Sequence, residues 1–283
     1  MSGRTLIQFF GFTFALTWGL GTLLFLFTDQ VVAIFGEVSQ TNLLFILAVY
    51  APGIVGLLLV WRHYGLPGLV SFLRRLTIWR LPLAWWIFLV VGIPALFLAG
   101  SVITSTISDS FPFAPWYAAL PALALVLLVG PIEEFGWRGV ALPLLQRRLA
   151  PLWASLVLGS IWAIWHLPSF FVSGAAQEAW SFAPFFLGIV ALSVALTPIF
   201  NAAQGSLLVA VIFHFQVNSP LWADIHPWDT ILFSVAALVI VLLNRKAMLS
   251  RGGSVTEILM PDEDRPVGHK AGSPQPASEK RAG

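Results

Sequence analysis

Long apolar runs separated by short polar stretches set the pattern of this chain. Eight runs, near 5–28, 42–61, 81–104, 117–138, 152–168, 181–200, 205–219 and 228–244, are long enough to cross about 30 Å of hydrocarbon once tilt and short ends are allowed for. The seventh is short and has the least defined bounds. None alternates with the period of two expected of barrel strands, and lipid offers no partner to backbone N–H and C=O groups, so the runs are expected to be helices. The expected fold is all-α: a polytopic membrane bundle of about eight transmembrane helices around a buried polar site. The first run is too long for a signal-peptide core and lacks a small-residue cleavage site, so it reads as a retained span.

The stretches between the runs add two features. In "YGLPGLVSFLRRLTIWRLP" the apolar residues Leu69, Val70, Leu73, Leu76 and Ile78 are interleaved with Arg74, Arg75 and Arg80. This predicts an amphipathic helix lying on the membrane surface, with an ordinary basic connector as the alternative. From Gly252 the chain is polar and rich in Gly, Pro and Ser, too poor in apolar surface to order itself. The predicted organisation is thus membrane helices with the interfacial helix over 1–94, a membrane core over 95–245 and a disordered tail over 246–283.

Composition strengthens the membrane reading: 58% of the 283 residues are hydrophobic, 10% are charged, and the mean hydropathy is +0.86. The absence of cysteine removes disulfides, thiolate metal sites and cysteine nucleophiles. Charge is sorted by side. Arg4, Arg62, Arg74, Arg75, Arg80, Arg138, Arg147, Arg148, Arg245, Lys246 and Arg251 all fall on one face, whereas the alternate connections carry Asp29, Glu37, Asp109, Glu178, Asp224 and Asp229 and no Lys or Arg. By the positive-inside rule both termini are expected in the cytoplasm. The net charge of +2 comes from this sorting and does not describe a nucleic-acid-binding patch. Twelve arginines against three lysines suit a GC-rich bacterial genome, hence an expected location in a bacterial plasma membrane.

Against this background the ionisable residues inside the runs stand out, because a charge at the bilayer centre costs roughly 2.5 to 3.5 kcal/mol on insertion scales. Glu133, Glu134, Arg138, His166, His214 and Asn218 make up the set. Glu134 and Arg138, at i and i+4, share a helix face and can pair. Glu133 lies about 100° around the axis and is left free for chemistry. The bland alternatives are a solvated helix end for the charged triplet and hydrogen-bonded core positions for the histidines. His214 has Asn218 one turn on, and Trp137, Trp162 and Trp165 are expected to pack as walls. Counted from the cytoplasmic ends, Glu133, His214 and His166 come to similar depths, so three helices can converge on one pocket.

A free carboxylate, two imidazoles and an amide suit water activation at a carbonyl: the carboxylate takes the proton and the amide and imidazole stabilise the oxyanion. Glu133, His166 and His214 can equally hold a divalent metal such as zinc. These residues leave both mechanisms open.

The motifs "EEFGWR" (Glu133, Glu134, Arg138), "WAIWH" (ending at His166) and "HFQVN" (His214, Asn218) resemble, in order and spacing over about 95–245, the EExxxR, FxxxH and HxxxN motifs of the CAAX prenyl protease and bacteriocin-processing (CPBP, Abi) family of intramembrane endopeptidases. Trp162 stands where that family has phenylalanine. The resemblance implies that Glu133 activates water with help from His166, that His214 and Asn218 form the oxyanion hole, and that Glu134 and Arg138 support the site. It leaves a glutamate-type and a metal-dependent protease both open. It further implies a membrane-associated protein or peptide substrate among membrane lipids. A non-catalytic immunity or scaffold protein and a proton-coupled transporter are the competing readings.

Overall fold

The computed structural model describes residues 1–39, 41–106 and 113–260. Among these the chain is helical, with no strand. The helices are α1 (Gly3–Leu26), α2 (Thr28–Phe35), α3 (Leu43–Leu73), α4 (Leu83–Ile103), α5 (Trp116–Gln146), α6 (Pro151–Trp165), α7 (Phe182–Ala202), α8 (Leu207–Val217), α9 (Trp228–Leu243) and α10 (Arg245–Leu249). This is an all-α polytopic membrane bundle. All eight apolar runs become helices, but only five, α1, α3, α4, α5 and α7, are long and apolar enough to cross a membrane alone. At 15 and 11 residues, α6 and α8 span roughly 22 and 16 Å. They stop part-way, and the site forms where they stop.

The second half of α5 is the axis of the bundle, nearly every residue from Pro131 to Gln146 being buried. Gly130 and Pro131 interrupt this helix: Pro131 has no N–H to donate, and a 3₁₀ turn over Pro131–Glu133 follows, then a wide π turn over Trp137–Ala141. α3 crosses this axis at very close range, and a Cβ on Gly136 would collide with the Pro52 carbonyl. α1 packs along α3, and α7 packs against both α6 and α9.

Two expectations change. The basic stretch after Gly65 continues α3 beyond a kink at that glycine (φ 66°), and its Arg75 is 2% exposed instead of facing lipid head groups. The Arg75 guanidinium donates to the carbonyls of Gly205 (2.8 Å), Gly139 (3.1 Å) and Ile258 (2.9 Å). An arginine with its positive charge spread over several donors can tie three backbone segments together, and there its fork outcompetes the head groups. The tail, expected to be unstructured from Gly252, is instead held over its first residues. Gln146 donates to the Val255 carbonyl, Arg147 to that of Thr256, and Ile258 is 1% exposed. The rest of that expected tail, 261–283, lies outside the described residues, as does Asp109.

Candidate active site

Three interrupted helices supply the polar residues. Glu133 closes the 3₁₀ turn after the Gly130–Pro131 break, His166 caps the C-terminal end of α6, and Asn218 caps that of α8 one turn after His214. They meet at a cavity of about 440 Å³ whose lining includes Glu133, His166, His214 and Asn218. Helix ends are acceptable at this depth because their freed backbone groups face a cavity and not lipid.

Glu134 and Arg138 lie behind this surface, both 0% exposed. Glu134 Oε1 accepts from Arg138 Nη1 at 3.0 Å, the expected i,i+4 pair, and from His214 Nδ1 at 2.7 Å. Arg138 also sits 4.5 Å from the ring centroid of Trp162, a favourable contact for a desolvated cation. With Nδ1 donating to the carboxylate, His214 is held by one nitrogen and presents Nε2. A Cβ added to Gly130 would lie 3.4 Å from that Nε2 and 3.2 Å from Asn218 Nδ2, so the two groups converge over a backbone position kept bare of side chain.

Glu133 is 4% exposed and less free than the sequence suggests. Its Oε2 accepts from the indole N–H of Trp162 at 2.8 Å and of Trp137 at 3.3 Å. Two tryptophans expected to serve as packing are thus hydrogen-bond donors to the acid, and the Trp162 bond is one that phenylalanine at this position lacks. Trp137 is at i+4 from Glu133, a spacing that makes it legible in the sequence; Trp162, on another helix, is not. Trp165 turns its indole N–H to Thr17 Oγ1 at 2.7 Å and stands edge-on to His166, ring centroids 4.6 Å apart. His166 Nδ1 lies 2.8 Å from the Trp162 carbonyl. A carbonyl only accepts, so Nδ1 carries the hydrogen, and Nε2 of the neutral ring is an acceptor.

Glu133, His166 and His214 would be the donors for a divalent ion. Among the described residues, however, no three His, Asp or Glu side chains form a group that could hold one. Glu133 Oε2 is engaged by indoles, while each histidine commits Nδ1 to a protein acceptor and leaves Nε2 available, as metal-ligating histidines usually do.

Residues 115–220, which contain all three motifs, match the family model described as type II CAAX prenyl endopeptidase, Rce1-like. This segment is similar to that family. A protein described as CAAX prenyl protease 2, from Methanococcus maripaludis, is 32% identical over an alignment of 166 positions that covers 54% of this chain. The chain spans 60% of the length of that relative. The resemblance read from the three motifs is borne out by both matches. The matched segment holds Glu133, Glu134, Arg138, His166, His214 and Asn218, while α1 contributes the Thr17 contact to Trp165 and α3 the close approach of Pro52 to Gly136.

Proposed function

We propose that the chain is an intramembrane endopeptidase that hydrolyses peptide bonds of membrane-associated proteins or peptides. The observation that carries this reading is the meeting of Glu133, His166, His214 and Asn218 on one cavity, with His214 Nε2 and Asn218 Nδ2 converging beside Gly130. The family match and the relative's description as a CAAX prenyl protease support it.

Glu133 takes a proton from water as the water oxygen adds to the scissile carbonyl carbon, with His166 Nε2 as the second acceptor that orients the water. The resulting oxyanion receives a hydrogen bond from Asn218 Nδ2 and lies beside His214 Nε2, which donates to it when the ring carries both protons while Glu134 accepts from Nδ1–H. Collapse of this intermediate breaks the C–N bond, and the proton held by Glu133 passes to the leaving amine. Glu134 and Arg138 position His214 and do not touch substrate. The arginine-rich composition favours a bacterial plasma membrane with both termini in the cytoplasm, and there a membrane-anchored peptide is a better substrate than a prenylated protein.

Purified protein and its Glu133→Gln variant, incubated in micelles with a panel of membrane-inserting peptides and with prenylated and unprenylated CAAX peptides, test the reading by mass spectrometry of the products. Cleavage by the parent and none by the variant is expected. Equal cleavage by both would remove Glu133 from the mechanism. Protection of a host against a bacteriocin that persists in the variant would favour the immunity-protein reading instead.

A further inference from the structure

The lining of the active-site cavity is one-sided. It draws on the ends of α1, α4, α6 and α8, the middle of α5 and the starts of α3, α7 and α9, together with the connections 166–180 and 218–227, and on nothing within 50–96, 134–161, 193–213 or 234–260. Every connection on that side lacks Lys and Arg and carries acids. Along the lining, Ala176, Asn218 and Asp224 are exposed and Glu133 is buried, so the cavity runs from an exposed acidic face inward to the Glu133 carboxylate.

The opposite end is shut. There Arg75 joins the carbonyls of Gly139, Gly205 and Ile258. Arg147 donates to the carbonyls of Met1 and Thr256, and Asn201 binds both the Gln146 side chain and the Val255 N–H. This closed end bears the basic residues that the positive-inside rule assigns to the cytoplasm.

We infer that the active site is entered from the face opposite the basic one, the extracytoplasmic face, and that its substrates are membrane-anchored segments whose scissile bond has already been translocated. The inference rests on the endopeptidase reading for the identity of the cavity. It excludes peptides presented only from the cytoplasm. A polypeptide reaching the site threads past the 166–180 and 218–227 connections, and the reaction that supplies the substrate is therefore an export or membrane-insertion step.

The chain has no cysteine, so single-cysteine variants report accessibility without background. Ala176→Cys at the mouth and Ser250→Cys at the closed end, both exposed positions, are probed with a membrane-impermeant maleimide in right-side-out and inside-out vesicles. Ala176→Cys is expected to be labelled in right-side-out vesicles only and Ser250→Cys in inside-out vesicles only. Glu178→Cys, exposed on the same connection, serves if Ala176→Cys does not accumulate. Labelling with the opposite sidedness overturns the inference. Cleavage of a membrane-inserted peptide, measured in the same vesicles with and without Glu133→Gln, separates the two readings. Reversed labelling with Glu133-dependent cleavage defeats the access side alone, and cleavage independent of Glu133 defeats the endopeptidase reading.

Discussion

Replacing Glu134 by glutamine tests the wiring behind the site. In the folded protein a single carboxylate oxygen serves Arg138 at 3.0 Å and His214 at 2.7 Å, with Glu134 and Arg138 fully buried. Arg138 Nε and Nη2 have no hydrogen-bond partner among the described residues, so neutralising Glu134 leaves a buried cation supported chiefly by the Trp162 ring. Removing one partner of a buried pair costs about 3–5 kcal/mol. Glu134→Gln is therefore expected to lose that much stability in denaturant-induced unfolding in mixed micelles followed by circular dichroism. In Glu134→Gln/Arg138→Met the orphaned charge is gone, and most of the loss is expected to return. Turnover should not return with it, because His214 Nδ1 now faces a neutral amide. Losing a hydrogen bond to a charged group, about 1.5–3 kcal/mol, lowers the rate roughly 10- to 150-fold. A single variant within about 1 kcal/mol of the parent, or a double variant no more stable than the single one, would refute the assignment of Glu134 as the counter-ion.

Three further outcomes follow from the geometry. Trp162→Phe keeps the ring over Arg138 but removes the 2.8 Å donor to Glu133; a fall of about tenfold in kcat is expected, and an unchanged rate would mean that the indole N–H is not part of the acid's setting. Gly130→Ala places a methyl group 3.2 Å from Asn218 Nδ2 and 3.4 Å from His214 Nε2; kcat should drop by about 10²–10³ with KM little altered, whereas a change confined to KM would move the oxyanion site elsewhere. Chelator-treated protein, checked for residual metal by mass spectrometry, is expected to retain cleavage, and activity lost on chelation and regained with zinc would replace the water-activation scheme.

Features within one helix were readable in advance. The Glu134–Arg138 pair follows from i,i+4 spacing, and the convergence of three helices follows from how rarely such runs tolerate ionisable groups. What sequence hid was contact across helices. Nothing in the spacing of Glu134 and His214, 80 residues apart, signals that one carboxylate holds both the arginine and the imidazole. Trp162 read as aromatic bulk because an indole N–H leaves no trace in a hydropathy pattern. Arg75 read as part of a surface-lying amphipathic helix because of the apolar residues interleaved with it; only the fold brings three carbonyls to it. The lengths of α6 and α8 also mattered more than their apolarity indicated, since each stops at a residue that lines the cavity.

The Arg75 clasp bears on how the molecule matures. Its three acceptors lie 64, 130 and 183 residues further along the polypeptide, and Ile258 is made only after every apolar helix has been synthesised. A nascent chain can thus hold its full set of inserted helices while one prong of a desolvated guanidinium still waits for its oxygen. Sealing of the basic face is consequently completed late in biogenesis, and a chain interrupted just before Val255 would present a structural defect that membrane quality control could act on.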